Sequence, residues 1–492
     1  MKRLFILPFL CAALFSVAAC STNPATGRSS FTALMGPEDE KRLGAEEHPK
    51  LVKQFGGEYS DRDLDAYVSR VGLALAAETE MPDLDYSFTV LDDDLINAFA
   101  LPGGYVHVTR GLLALASNEA ELAGVLAHEL GHVTARHSAE RYSQSVVAGV
   151  GAAILGAAGS VVGVPGVGQV AGYGAQAYVQ TYSRDQELEA DRLGIRYMTR
   201  AGYDPEAMAS FFKKMDAYTQ LQAAMAGDPG AADRFSVMAS HPRTGDRVEQ
   251  AIKLAKTAPV ADPKVNGKAY LAHIDGMVFG DSPEEGVRRG REFAHPNLRI
   301  AFRVPNGFIL SNSPGRVMAR GPKGALIVFD MESNRDRARS VGDPSAYIAR
   351  IGGSQLKFQS IQDIDVNGME AATGIARVRT NQGVVDARVV AIREQPDRIY
   401  RFLFLTPAAA TDSLAPELKR TTYSFKRLSE SEARAIRPLR VKVVTVENGD
   451  TAESLAKQMP FESYRLERFR AMNGLRPGQS PKPGQPVKII VD

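Results

Sequence analysis

Ala127-His128-Glu129-Leu130-Gly131-His132-Val133 decides the reading of this chain. It lies within residues 118–142, a stretch rich in Ala, Leu and Glu that predicts one long amphipathic helix. His128 and His132 are four apart, so both rings project from one helix face. Zinc takes imidazole nitrogens at roughly 2.0–2.1 Å, and an i,i+4 pair supplies two such ligands. Glu129 stands beside the first histidine, turned far enough to reach a water on the metal instead of the metal itself.

A catalytic zinc needs a third protein ligand and an open position. Glu187-Leu188-Glu189-Ala190-Asp191 offers it. Glu187 and Asp191 are again four apart and share a helix face. Glu187 is a candidate ligand. Asp191 is a candidate to hydrogen-bond the distal nitrogen of a ligand histidine and fix its tautomer. Glu189 points elsewhere on that helix. An acidic helix by itself is usually a solvated face; the two histidines upstream give this one its weight.

Working outward, the chain has 492 residues, enough for two to four domains. Lys and Arg number 59 and Asp and Glu 57, a near-balance that argues against an extended nucleic-acid surface. The two cysteines, Cys11 and Cys20, both precede residue 21. Thiolate catalysis, Cys-ligated zinc and internal disulfides are thereby excluded from the folded part.

The wider pattern resembles a known family. His128 to Val133 with Arg136-His137, then Ser183-Arg184, Glu187, Ala190-Asp191 and Gly194, are similar to the zinc metallopeptidases typified by HtpX, the CAAX prenyl endopeptidase and mitochondrial Oma. The run Asn97 to Gly104 followed by Tyr105 to Gly111, and Ser240-His241-Pro242 with Arg247, resemble the BepA-like periplasmic branch. The resemblance spans about residues 23–254. It implies one Zn2+ per chain held by His128, His132 and Glu187, with Glu129 as catalytic base for attack of zinc-bound water on a peptide bond. It also implies a further zinc contact from His241. His241 and Arg247 are candidates to stabilise the oxyanion. His241 is equally a candidate to occupy the water position as an inhibitory ligand.

The amino terminus reads as an address. Lys2 and Arg3 precede an apolar run over residues 4–14, and Val17-Ala18-Ala19-Cys20 resembles a lipobox. This predicts a signal peptide over 1–20, lipidation of Cys20 and a polar tether over 21–36. Ser21 after the cysteine points to an outer-membrane lipoprotein facing the periplasm.

The peptidase domain is expected over 37–265, mainly α-helical with a small sheet, a zincin (gluzincin) arrangement. Residues 44–79 read as helix and 85–91 as strand. Tyr105-Val106-His107-Val108 reads as a strand, either a substrate-pairing edge or ordinary internal sheet. Residues 142–183 carry no charge and read as a lid, with membrane contact as the alternative. His137 reads as structural, and His48, His107, His273 and His295 as surface or core residues.

Beyond residue 268 the texture turns to strands. Residues 268–430 are similar to PsbP/Mog-like α/β sandwiches and show no paired nucleophile and base. Residues 441–492, from Val446-Glu447-Asn448-Gly449-Asp450-Thr451 to Pro483-Gly484-Gln485-Pro486, resemble a small βααβ LysM domain, a family that binds peptidoglycan-type glycans. The expected whole is a multidomain zinc endopeptidase of the bacterial envelope. It would act on unfolded or misassembled proteins, with membrane attachment through Cys20, peptidoglycan as a second partner, and no nucleic acid. The alternative is a wall-tethered outer-membrane assembly factor or chaperone with a mostly closed zinc site.

Overall fold

The computed structural model describes residues 21–32, 34–146, 182–226, 245–332, 334–340, 342–352, 357–380 and 383–492. The expected signal segment 1–20 with Cys20, most of the expected lid, and His241 lie outside the described residues. Contacts divide the described chain into two compact units. One runs to Phe279 and takes in Arg440–Val491; the other is Gly280–Leu439.

In the first unit the expected helical stretch 44–79 is two helices, α1 (Pro37–Gln54) and α2 (Arg62–Ala76). The Asp61 carboxylate accepts from the Leu64 amide and restarts the helix. Three short strands follow: β1 (Ser87–Leu91), β2 (Ala98–Leu101) and β3 (Tyr105–Thr109). Their order is β1-β3-β2, with β3 parallel to β1 and antiparallel to β2. The Tyr105 strand is therefore the centre of the sheet and pairs on both sides. The edge positions belong to β1 and β2, and the Pro102-Gly103-Gly104 turn folds β3 back against β2.

Helix α3 (Arg110–Leu115) leads into α4 (Glu119–Thr134), which carries both motif histidines. Asn118 caps α4 by accepting from the Glu121 amide. The buried Glu119 carboxylate accepts from the Tyr67 and Tyr203 hydroxyls and the Asn266 amide, fixing that end. The expected single helix over 118–142 is broken. Ala135 closes α4, and Arg136 takes a left-handed φ of 54° before helical residues resume at 137. Such a φ is costly for a residue with a β-carbon. Arg136 is held there by Glu40 at 2.9 Å and the Met35 carbonyl at 2.8 Å.

Helix α5 (Arg184–Arg200) opens on a capping box between Ser183 and Gln186. It packs along α4 where glycines remove the β-carbons between them. A β-carbon on Gly131 would lie 2.9 Å from the Ala190 carbonyl oxygen, and one on Gly194 would lie 3.1 Å from the His128 nitrogen. Helices α6 (Glu206–Ala226), α7 (Gly245–Thr257) and α8 (Gly267–Ile274) complete this part.

The segment expected as a tether is docked from Asn23 onward. The Asn23 side chain donates to the Ala135 carbonyl at 2.6 Å, and Ala25, Thr32 and Met35 are buried.

Residues 439–491 form strand–helix–helix–strand: Leu439–Thr445, Ala452–Ala456, Arg465–Asn473 and Pro486–Val491, with the strands antiparallel. Val278–Phe279 joins this sheet as a third strand beside Leu439–Thr445. The layer is part of the first unit. Lys488 is buried, and its ammonium donates to the carbonyls of Ala114, Leu115 and Ala116 at the end of α3, at 2.7, 3.0 and 2.5 Å.

The second unit is built on a seven-stranded antiparallel sheet. Its order is Ile309–Ser313, Arg316–Arg320, Leu326–Met331, Arg398–Pro407, Gly383–Gln395, Met369–Thr380, Phe358–Val366. The expected strand over 317–331 is two, separated by a short turn at Pro322–Gly324. Phe293, Phe302, Phe329, Phe402 and Phe425 pack with Tyr400 into its core. Helices Pro344–Gly352 and Thr411–Ser424 accompany the sheet. Among the described residues, no helix is long and apolar enough to cross a membrane.

Candidate metal centre

The α4–α5 contact brings the two i,i+4 pairs together. His128 Nε2 and His132 Nε2 are 3.1 Å apart, and each lies 3.5 Å from a Glu187 carboxylate oxygen. Among the described residues, these three form the group of His, Cys, Asp and Glu side chains able to share one ion, and all three are buried. Tetrahedral zinc at 2.0–2.1 Å from each ligand separates its ligand atoms by about 3.3 Å. The observed spacings fit that shell.

The distal nitrogen of each histidine is also engaged. His128 Nδ1 lies 2.9 Å from Asp191 Oδ1. His132 Nδ1 lies 2.9 Å from His137 Nδ1, and His137 Nε2 lies 3.2 Å from Glu189 Oε2. The Tyr182 ring stacks on His132 with centroids 3.8 Å apart. Arg141 covers the Tyr182 ring at 4.0 Å.

Arg247, put forward from the sequence as an oxyanion donor, is bonded to the carboxylates instead. Its Nε and Nη2 donate to Asp191, each at 2.7 Å, and its Nη1 lies 2.6 Å from Glu187. It is 3% exposed. This fork ties Asp191 and Glu187 into one rigid set.

The electrostatics favour a cation. The buried carboxyl groups of Glu129, Glu187 and Asp191 crowd round one buried guanidinium, Arg247, a donor set suited to a divalent cation. Burial opposes a positive His128, yet the hydrogen bonds to Asp191 and Glu187 outweigh it and push its pKa up to about 10. Burial opposes an ionised Asp191 as well, and Arg247 holds it below the usual carboxylate range.

Beside this centre lies a cavity of about 320 Å³. The end of β2 (Ala100, Leu101) lines one part of it, and His132, Val133 and Tyr182 another. The sheet edge thus runs alongside the ligand cluster.

All six described candidates converge here: His128, Glu129, His132, Glu187 and Asp191 from α4 and α5, and Arg247 from α7. Sequence spacing missed His137, Glu189 and Tyr182. Five residues past His132 on a continuous helix, His137 would face away. The break at Arg136 turns it back.

Residues 62–255 match peptidase family M48. The match runs from α2 through α7 and contains every described residue of the cluster. The chain is also similar to several named proteases. The chain is 38% identical over 327 residues to a beta-barrel assembly-enhancing protease of Yersinia pestis, covering 64% of this chain and 61% of the relative. It is 33% identical over 231 residues to the mitochondrial metalloendopeptidase OMA1 of Schizosaccharomyces pombe, covering 46% and 63%. A putative beta-barrel assembly-enhancing protease of Vibrio cholerae is 29% identical over 229 residues, 45% of each chain. The chain thus spans between 45% and 63% of the length of these relatives.

Proposed function

We propose that the chain is a zinc endopeptidase. The observation that carries this reading is the convergence of His128 Nε2, His132 Nε2 and the Glu187 carboxylate within 3.5 Å of one another on buried, buttressed side chains. Zinc bound there would supply a Lewis acid and a lowered pKa for water. Glu129, next to the first ligand on α4, accepts a proton from the attacking water and delivers it to the leaving amine. Asp191 fixes the tautomer of His128. Arg247 holds Glu187 and Asp191 in place, so its role is positioning. An extended substrate would run along the cavity lined by Ala100 and Leu101 of β2 and by His132.

Support for a protein substrate comes from the M48 match and from the relatives' names, which describe proteases, two of them beta-barrel assembly-enhancing. The substrates we propose are unfolded or misassembled envelope proteins. Lipidation of Cys20 would place the enzyme on the outer membrane facing the periplasm. The 268–430 region is read as a PsbP/Mog-like scaffold and the 441–492 layer as a LysM-like glycan binder.

The test is cleavage of casein by the purified chain. Activity removed by a chelator and restored by one equivalent of zinc supports the reading. Chelator-insensitive cleavage, or a fully metallated chain with none, opposes it.

A further inference from the structure

Asp191 accounts for the orientation of His128. The corresponding nitrogen of His132 is met by a chain of two side chains that the M48 cluster does not include. We propose that His137 and Glu189 form a second orienting arm, a His–Glu relay that aims His132 Nε2 at the ion. The inference rests on the zinc reading given above.

The hydrogen bonding admits one consistent tautomer assignment. A histidine that ligates through Nε2 must carry its proton on Nδ1. His132 Nδ1–H therefore donates to His137 Nδ1, 2.9 Å away. His137 must then carry its own proton on Nε2, and that group donates to Glu189 Oε2 at 3.2 Å. Both ring nitrogens of His137 and the distal nitrogen of His132 are then engaged. Glu189 Oε2 also lies 3.4 Å from Arg28 Nη1, which fixes the far end of the arm.

The backbone is arranged to make this arm. Left-handed Arg136 ends α4 and starts the next helical residues at His137, one turn from the ligand. The Asn23 side chain holds the Ala135 carbonyl just before that corner. Glu189 reaches the corner from α5, two residues from both Glu187 and Asp191. One helix thus supplies a ligand and the terminal acceptors of both arms. His137 is 1% exposed, so its partners are internal and not solvent.

The test is zinc affinity measured by chelator competition on the full chain. The variants are His137→Phe, His137→Gln, Glu189→Gln and the double variant His137→Phe with Glu189→Gln. Thermal unfolding of each metal-free protein reports its fold. Removing a partner behind a metal-bound histidine typically weakens metal binding about 10- to 100-fold. That loss is expected for His137→Phe. His137→Gln, whose amide oxygen can accept from His132, should recover part of it. Glu189→Gln should weaken binding in the wild-type background and have no effect once His137 is Phe. The visible absorption of the cobalt-loaded protein should shift in His137→Phe. Additive effects of the two substitutions, or folded variants with wild-type affinity and an unchanged cobalt spectrum, would overturn the relay alone. A wild-type chain that takes up no zinc would overturn the metal reading along with it.

Discussion

Gly131 lies against Ala190, so close that a β-carbon on the glycine would be 2.9 Å from the Ala190 carbonyl oxygen and 3.0 Å from its Cα. The motif glycine and the residue before Asp191 are the point where the ligand helices touch. Gly131→Val would push α5 away from α4 and move Glu187 off the two histidines. Overpacking of this kind costs about 1–3 kcal/mol. Chemical unfolding should show that loss. Zinc content should fall well below one per chain, whereas Leu130→Met should leave it unchanged.

Arg247 is the cation in a buried set of carboxylates. Arg247→Met removes the guanidinium that bridges the buried Asp191 and Glu187 carboxyl groups, and breaking a buried ion pair typically costs about 3–5 kcal/mol. Urea denaturation of the metal-free chain should report a loss of that order. Arg247→Lys should recover only part, because one ammonium cannot reproduce the guanidinium fork. Saturating zinc should shrink the deficit, since a dication neutralises the same carboxylates.

His107 sits in the middle strand with its Nε2 2.9 Å from His48 Nδ1. Burial and the neighbouring His48 push its pKa down to about 3 from the ordinary 6.5. The folded chain thus refuses a proton that the unfolded chain accepts between those values. Stability from this group is full above pH 6.5 and is lost as pH falls toward 3. Between pH 7 and pH 5 the loss amounts to about 2 kcal/mol. Denaturation at the two pH values should show it in the wild type, and His107→Gln should reduce the difference. An equal acid loss in both would contradict the assignment.

Lys488 ties the carboxy-terminal layer to the helix before α4. Burial lowers the pKa of its ammonium well below the ordinary value, yet three carbonyls surround it. Lys488→Met leaves those carbonyls without their donor. Each unsatisfied buried group costs about 1–3 kcal/mol. A chain ending at residue 439 should lose more, and its melting temperature should drop along with its zinc uptake. A truncated chain as stable as the full one would show that the layer is a separate module.

The legible part of the site was the local part. His128 with His132, and Glu187 with Asp191, announce themselves because an i,i+4 spacing fixes a shared helix face without knowledge of the fold. Glu189 read as pointing elsewhere, and it does point away from the ion, toward His137. His137 and Tyr182 depend on the left-handed corner at Arg136 and on packing across 50 residues of sequence, which no periodicity encodes. The edge position of β2 depends on strand order, and alternation in Tyr105–Thr109 is silent on that. The burial of Lys488 has no local signal, because its three acceptors lie more than 370 residues away. Strands of the second unit were visible as alternating runs, but their hairpin breaks were not.

The central claim is that Glu129 is the base beside a zinc held by His128, His132 and Glu187. The most direct measurement is casein cleavage by wild type and Glu129→Gln, with zinc content determined on the same samples. The account predicts one zinc per chain in both and a rate lowered at least about 10²-fold in Glu129→Gln, the usual contribution of a general base. Full cleavage by a metallated Glu129→Gln chain would contradict it.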